Sequence, residues 1–359
     1  TIGLDLAKNV FQVHGVDESD EVVVVRQLRR NQVIPFFEKL EPCLVGMEAC
    51  ATGHHWAREL IKLGHDVRLI PPVYVKAYVK RSKNDAADAA AICEAVTRPS
   101  MRFVPVKTEE QQAALAVHRV RDLLMRQRTQ LLNALRAHMA ELGIIAETGR
   151  EGGAKLVEIV ADARSTGVLP TEMVDALSAL IDQIFSLQEQ IDELNRCIKR
   201  QHRTSDVAKR LEGIPGIGPI TATAMAASVT DPGQFKSGRD LAAWIGLVPK
   251  QHSTGGKARL GGISKQGDRS LRRLLVGGGT SVVKLAKIFP WRSPWVAKLL
   301  ERKPAKLVAV AVANKLARVA WAVMNSGGTY RPQVRGARPR WAWQGVVEAP
   351  PERIFKLRG

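Results

Sequence analysis

The sequence has no apolar run long enough to span a bilayer; the best, Leu307 to Ala313, is cut off by Asn314 and Lys315. No signal peptide is legible either, although the chain begins without Met, inside what reads as a strand. Cysteine is sparse. Cys43, Cys50, Cys93 and Cys197 show neither CxxC spacing nor a Cys/His zinc pattern, so they read as reduced thiols of a cytoplasmic protein. Acidic residues are in short supply, with 35 Asp and Glu against 54 Lys and Arg, a formal charge of +19. That surplus attracts polyanions, and with a membrane set aside the expected partner is nucleic acid. The 359 residues, 45% of them apolar, suffice for two or three domains with a sizeable core.

The N-terminal hundred residues alternate strand and helix. Strand signals at residues 1–7, 9–16 and 21–28 surround a turn at 17–20, and a helix is expected over 31–40 with Asn31 as its cap. A buried-looking strand ending at Glu48, a helix over 53–63, a strand over 65–70 and helices carrying 76–96 complete an α/β pattern with a mixed sheet. Two of the strands, ending at Asp5 and Glu48, close on a carboxylate, which is costly to bury without a partner. The Ala-rich run that follows Lys83-Asn84 carries Asp85 and Asp88 three residues apart, on one face of a helix. An isolated D-x-x-D is most simply a solvated helix start. Four acids gathered at adjacent strand ends would instead suit Mg²⁺ or Mn²⁺, and paired ions there would support phosphodiester chemistry.

In the frame Ile2-Gly3-Leu4-Asp5-Leu6-Ala7-Lys8, then Met47-Glu48-Ala49, then Lys83-Asn84-Asp85-Ala86-Ala87-Asp88-Ala89, the sequence resembles the RuvC-like DEDD domain of the insertion-sequence "IS one-ten" transposases, and most of all their IS-eleven-eleven subgroup. The four acids match the family pattern residue by residue.

Beyond Pro105 the chain turns helical. Arg119, Arg121, Arg126, Arg128 and Arg136 form a stripe against a single acid, Asp122, and such a stripe can track a phosphate backbone or be an ordinary solvated face. Several glycines between 149 and 167 suggest loose connections around a short helix. Leu177, Leu180, Ile184, Leu187, Ile191, Leu194 and Ile198 then step by three and four, the seam of a coiled coil that could close within the chain or on another protomer. Leu211 to Ala224, with Gly216 and Gly218 at its turn, has the form of a helix-hairpin-helix, a phosphate site or a plain packing unit.

A glycine-rich, basic, hydroxyl-bearing segment follows, with Ser253, Thr254, Lys257, Arg259 and Lys265, before a helix carrying Arg272 and Arg273. Taken alone it is a basic binding loop, able to hold a phosphate and expose a hydroxyl. The stretch from Pro249 to Lys257, with Ile263 to Arg273, resembles the family's C-terminal transposase domain, which implies a serine nucleophile. Counting back from Ser264 places it on Ser253, and counting forward from Pro249 places it on Thr254; the less hindered primary hydroxyl favours Ser253. Residues 285–300 and 305–324 read as helices, the second packed inside. The tail holds Trp341 and Trp343 beside Arg338 and Arg340, suited to RNA or to docking on its own core.

The expected architecture is a multidomain α/β plus α protein. It comprises an RNase H-like (RuvC-like) domain over residues 1–104, a helical coiled-coil region over 105–205, a mainly α-helical transposase domain over 206–326 and a basic tail over 327–359. The resemblance implies a nucleoid-associated prokaryotic recombinase that moves an insertion sequence. A noncoding bridge or seeker RNA would pair with donor and target DNA, leaving backbone and shape to the protein. It further implies Asp5, Glu48, Asp85 and Asp88 on Mg²⁺, a phosphoserine intermediate on Ser253, and a homo-oligomer, dimer to tetramer. Two rival expectations are a structure-specific nuclease using metal-activated water and a non-catalytic nucleic-acid-binding assembly protein.

Overall fold

The computed structural model describes residues 1–79, 84–331 and 346–347. The chain forms two compact units, Thr1–Gln112 and Ala113 onward. Residues 113–205 of the expected helical region lie in the same unit as the expected transposase segment, and residues 105–112 lie in the first.

Unit 1 contains β1 (Ile2–Asp5), β2 (Val10–Val16), β3 (Val22–Arg29), α1 (Val33–Phe37), β4 (Leu44–Glu48), α2 (Gly53–Lys62), β5 (Asp66–Ile70), α3 (Pro72–Val75) and α4 (Asp85–Val96). The strands make one mixed sheet in the order β3-β2-β1-β4-β5. β1 runs antiparallel to β2 and parallel to β4, and β4 parallel to β5. This mixed sheet with helices fits an RNase H-like α/β fold. Alternation along the strands divides the packing. Leu4, Phe11, Val13 and Met47 join Val33 and Phe37 of α1 and Trp56, Ala57 and Leu60 of α2 in one core. Gly3 and Gly46 face α4 instead: a Cβ on Gly3 would stand 2.8 Å from Cys93 Cβ, and one on Gly46 would stand 2.7 Å from Val96 Cβ. The helix expected from Asn31 starts with a 3₁₀ turn, Arg30–Gln32, and becomes α-helical at Val33.

Three helices lead into and open unit 2: α5 (Glu109–Glu141), α6 (Arg150–Thr166) and α7 (Thr171–Thr204). They are followed by α8 (Asp206–Glu212), α9 (Pro219–Ser228), α10 (Gly238–Trp244), β6 (Pro249–Gln251), β7 (Leu260–Ile263), α11 (Arg269–Ile288), α12 (Pro294–Leu300) and α13 (Ala305–Ser326), with the short pair β8 (Tyr330–Arg331) and β9 (Val346–Val347) last. The glycines of 149–167 do not loosen the chain. Gly149 and Gly167 flank a seventeen-residue helix, Gly167 closing it at φ +66°, where a residue without Cβ is at no disadvantage.

Along α7, Leu177, Ile184, Ile191 and Ile198 are buried while Leu180, Leu187 and Leu194 are half-buried. Arg121 Nε donates to Asn195 Oδ1 at 2.6 Å and Arg128 to Gln188 Oε1, so α7 runs antiparallel beside α5 within the chain. Leu135, Met139, Leu156 and Val160 meet the N-terminal half of the α7 seam.

The second core centres on α11 and α13, where Leu275, Val282 and Val283 meet Val312, Leu316 and Ala320. The interruption by Asn314 and Lys315 does not hold against the helix as a whole: α13 is the one described helix long and apolar enough, by composition, to cross a membrane. Its Val308, Val312, Leu316, Ala320 and Val323 are all buried in this core, the place of a central helix in a helical unit.

Candidate functional site

Asp5 and Glu48 end neighbouring parallel strands whose register pairs Leu4 with Met47, so both carboxylates leave the sheet at one edge. α4 runs antiparallel to β1. The Cys93 thiol donates to Thr1 O at 3.6 Å, while one turn earlier Ala89 O lies against Gly3. A helical turn rises about as far as two strand residues, so the next turn back carries Asp85 and Asp88 toward the Asp5 end. Asn84 caps that turn, its Oδ1 accepting from Ala87 N at 2.7 Å. Asp85 is exposed and Asp5, Glu48 and Asp88 are half-buried. Placement at one sheet edge is not yet a closed coordination sphere: among the described residues no three His, Cys, Asp or Glu side chains stand close enough to hold a metal ion. The donor chemistry nonetheless fits a hard divalent cation, which takes carboxylate oxygens and keeps several waters.

The expected serine loop is a β-hairpin of β6 and β7. Lys257 N donates to Thr254 O at 3.0 Å across Gly255 and Gly256, whose φ values of +55° and +76° define a two-residue primed turn. Ser253 is exposed on this hairpin. Its Oγ accepts from Arg259 N at 3.2 Å and from Gln251 Nε2 at 3.0 Å, two donors that would favour a partly negative oxygen. The sequence marks Arg259 as a basic residue of this segment but gives no sign that it or Gln251 partners Ser253, since neither lies at a motif spacing. Lys257, Arg259 and Lys265 are exposed around it.

The other basic residues divide. Arg119 and Arg126 are exposed on α5, whereas Arg121 and Arg128 are drawn onto α7, and Arg136 donates to Gly149 O at 2.8 Å. Burial, then Arg273 and Arg128, push the Arg121 guanidinium pKa down. Arg272 braces the hairpin base, donating to Ile245 O and Gln266 O at 2.7 Å each. Arg273 pairs with Asp122, which also accepts from Ser270 Oγ at 2.8 Å. Of the arginines expected to contact nucleic acid, Arg121, Arg128, Arg136, Arg272 and Arg273 thus have partners within the chain. Each spends hydrogen bonds within the chain, where carbonyl, amide and carboxylate acceptors are already in place.

Gly216 has φ +96°, and a Cβ there would stand 2.8 Å from Val282 Cγ2 and 3.0 Å from Gly278 O, so this turn glycine is a packing contact with α11. Gly218, by contrast, opens α9 with nothing near its Cβ position. Trp341, Trp343 and their arginines lie outside the described residues, as does Lys83.

Acids at the ends of neighbouring strands of a mixed sheet, in a chain that also bears an exposed serine on a basic hairpin, are the residue types that an enzyme working on phosphodiesters would use. Residues 2–144 match the DEDD transposase domain, and residues 208–293 match the transposase IS116/IS110/IS902 family. The chain is 53% identical over 333 residues to a probable family 20 transposase of Pseudomonas aeruginosa, covering 92% of this chain and 98% of that protein. It is 42% identical over 330 residues to the transposase for insertion sequence element IS1328 of Yersinia enterocolitica, at 92% and 98% coverage. Against the transposase for IS1111A of Coxiella burnetii it is 38% identical over 331 residues, at 92% and 91% coverage. The chain belongs to the IS110/IS116/IS902 family of transposases, enzymes that act on DNA.

Proposed function

We propose that this transposase mobilises an insertion sequence by RNA-guided cleavage and exchange of DNA strands through a covalent serine intermediate. The observation that carries the chemistry is Ser253: an exposed hydroxyl on a basic hairpin, its oxygen held by the Arg259 N–H and the Gln251 amide. The Ser253 oxygen attacks phosphorus, the P–O3′ bond breaks, and the serine proton ends on the departing 3′-oxygen. A phosphoserine linkage and a free 3′-hydroxyl result. A 3′-hydroxyl from the partner DNA then attacks the phosphoserine and restores Ser253. Lys257, Arg259 and Lys265 hold the DNA backbone at the hairpin, and Arg119, Arg126 and the α9 end at Gly218 extend the phosphate contacts.

Asp5, Glu48, Asp85 and Asp88 would hold Mg²⁺ or Mn²⁺, which when bound neutralises charge on the scissile phosphate. These carboxylates and Ser253 are carried by different units of the chain, so the reaction requires closure between units or between protomers that brings both to one phosphate, and the expected assembly is a dimer to tetramer. A noncoding bridge RNA pairs with donor and target DNA and supplies sequence choice, in keeping with a surface rich in cation and with basic residues placed for backbone contact.

The test is to incubate protein with nicked, end-labelled DNA and denature. Wild type leaves labelled DNA covalently on the protein, Ser253→Ala leaves none, and Thr254→Ala still traps it. Cleavage with no trapped adduct in wild type would move the reading to a nuclease using metal-activated water. Asp85→Asn with undiminished activity in cells would move it to a non-catalytic assembly protein. Sequencing RNA that copurifies tests the guide.

A further inference from the structure

Unit 1 holds a cleft that the catalytic reading does not use. It is an open cavity of about 540 Å³, bordered by Asn9, Arg29, Arg30, Asn31, His55 and Trp56, with no acidic residue on its walls. That volume lies within the range of ligand pockets. Each wall belongs to the sheet edge where Asp5 and Glu48 emerge. Asn9 follows Asp5 across the short β1–β2 connection, and antiparallel pairing of Val10 with Arg29 brings the end of β3 to the same edge. Arg30 N donates to Asn9 O at 3.0 Å, fastening the two connections together. His55 and Trp56 come from the first turn of α2, directly after the connection from Glu48.

The cleft is built rather than merely basic. Trp56 is 4% exposed, clamped edge-on by Phe11 at 5.0 Å between ring centroids. The Arg30 guanidinium sits 5.1 Å from the Trp56 ring centroid, a cation–π contact that holds it without neutralising it. Arg29, Arg30, Asn31 and His55 are exposed, and neither arginine is ion-paired among the described residues. The buried Trp56 Nε1–H has no hydrogen-bond partner among the described residues. Two uncompensated guanidinium groups, one pre-positioned on an indole, flanked by two carboxamides, suit successive phosphates of one strand with amide contacts to sugar or base edges.

We infer that this cleft seats the phosphodiester backbone of a single nucleic-acid strand beside the carboxylate edge, with Arg29 and Arg30 on phosphates and Trp56 as the residue that positions Arg30. The placement rests on the phosphodiester chemistry proposed above, while the binding itself needs neither metal nor serine. The experiment uses the full chain in EDTA, with fluorescent single-stranded DNA and RNA of one sequence titrated at several salt concentrations. Arg29→Ala with Arg30→Ala is expected to weaken binding about tenfold at low salt and to lower the log–log salt slope by about 1.4, the value for two lost single-strand phosphate contacts. Trp56→Phe keeps the slope and Trp56→Leu lowers it, whereas Arg302→Ala with Lys303→Ala leaves it unchanged. Comparing the DNA and RNA arms assigns the strand. A photo-crosslinking residue at position 55 captures the oligonucleotide, and one at position 298 does not.

An unchanged slope for the Arg29/Arg30 pair on both DNA and RNA, with no capture at position 55, overturns the proposal. Because Asp5→Asn and Ser253→Ala report on cleavage and adduct formation while these variants report on binding in EDTA, either reading can fail alone.

Discussion

Gly3 of β1 and Cys93 of α4 approach so closely that a Cβ on Gly3 would stand 2.5 Å from the Cys93 amide nitrogen, with the Ala89 carbonyl oxygen nearer still. Backbone on both sides leaves nothing flexible to yield. Because that contact sets how far α4 slides along β1, it also sets where Asp85 and Asp88 lie relative to Asp5. Gly3→Ala is expected to lower stability by roughly 1–3 kcal/mol or more and to abolish strand cleavage even where the chain still folds. Gly277→Ala is the contrast. It lies in the middle of α11 with nothing within 4 Å of its Cβ position, so it should stabilise by about 0.5–1 kcal/mol. Denaturant melts of the two variants check the direction of each.

The serine hairpin has its own backbone requirement. Gly255 and Gly256 both lie at positive φ, which a β-branched residue adopts only with strain. Gly255→Val should therefore distort the turn beside Ser253 and cut covalent adduct yield at least tenfold. Its global melting should barely move, because the hairpin is exposed and separate from the α11–α13 core. Gly255→Asn, which tolerates left-handed backbone, should retain most of the adduct. Equal losses in both variants would sink this account.

The β-rich order of unit 1, the two strand-end acids and the Asp85–Asp88 helix start were legible because they rest on local signals: period-two burial, an Asn cap and an alanine-rich run. The exposure of Ser253 is legible from glycine content, but the hairpin is not, since Gly255-Gly256 in so basic a segment serves an irregular loop as well as a primed turn. What the sequence could not reveal was which arginines have partners. Arg119 and Arg121 look alike in the stripe, yet Arg121 is committed only because α7 returns Asn195 to its side, a contact made over 74 residues of chain. The cleft at Arg29 and Arg30 was hidden for the same reason, since Trp56 reaches it from a different element. The glycines of 149–167 misled because a glycine just outside a helix and one inside a loop look the same until the φ angle is known.

His118 gives a pH test of unit 2. It is buried on α5 with Nε2 3.1 Å from Thr223 Oγ1 of α9, and burial, with a smaller push from Arg121, lowers its pKa from 6.5 to about 4. The folded chain keeps the imidazole neutral where the unfolded chain would protonate it. Unfolding thus takes up a proton between these two values, so stability is full above about pH 6.5, declines as pH falls toward 4, and declines no further below that from this group. The contribution lost by pH 5 is on the order of 2 kcal/mol. His118→Gln removes the titrating group, and the difference in unfolding free energy between the two proteins should change by that amount between pH 7.5 and pH 5. A pH-independent difference would show that His118 does not carry it.

Arginine roles on α11 and the hairpin separate by salt. Arg272 donates to two backbone carbonyls and Arg273 pairs with Asp122, whose side chain is only 18% exposed, so both act on the fold. Arg273→Gln should cost roughly 1 kcal/mol, discounted for the half-exposed guanidinium, and Asp122→Asn should lose a similar amount because Ser270 and Arg273 share that carboxylate. Neither substitution should alter the salt dependence of DNA binding, since the charges involved already face each other. Lys257→Gln and Arg259→Gln are expected to do the reverse, each lowering the log–log salt slope by about 0.9 on duplex DNA while leaving the melting temperature in place. Arg259→Gln keeps the backbone N–H that holds Ser253 Oγ, so its adduct should still form at saturating DNA. A slope that falls with Arg273→Gln but not with Lys257→Gln would reverse the assignment and place the phosphate contacts on α11 instead of the hairpin.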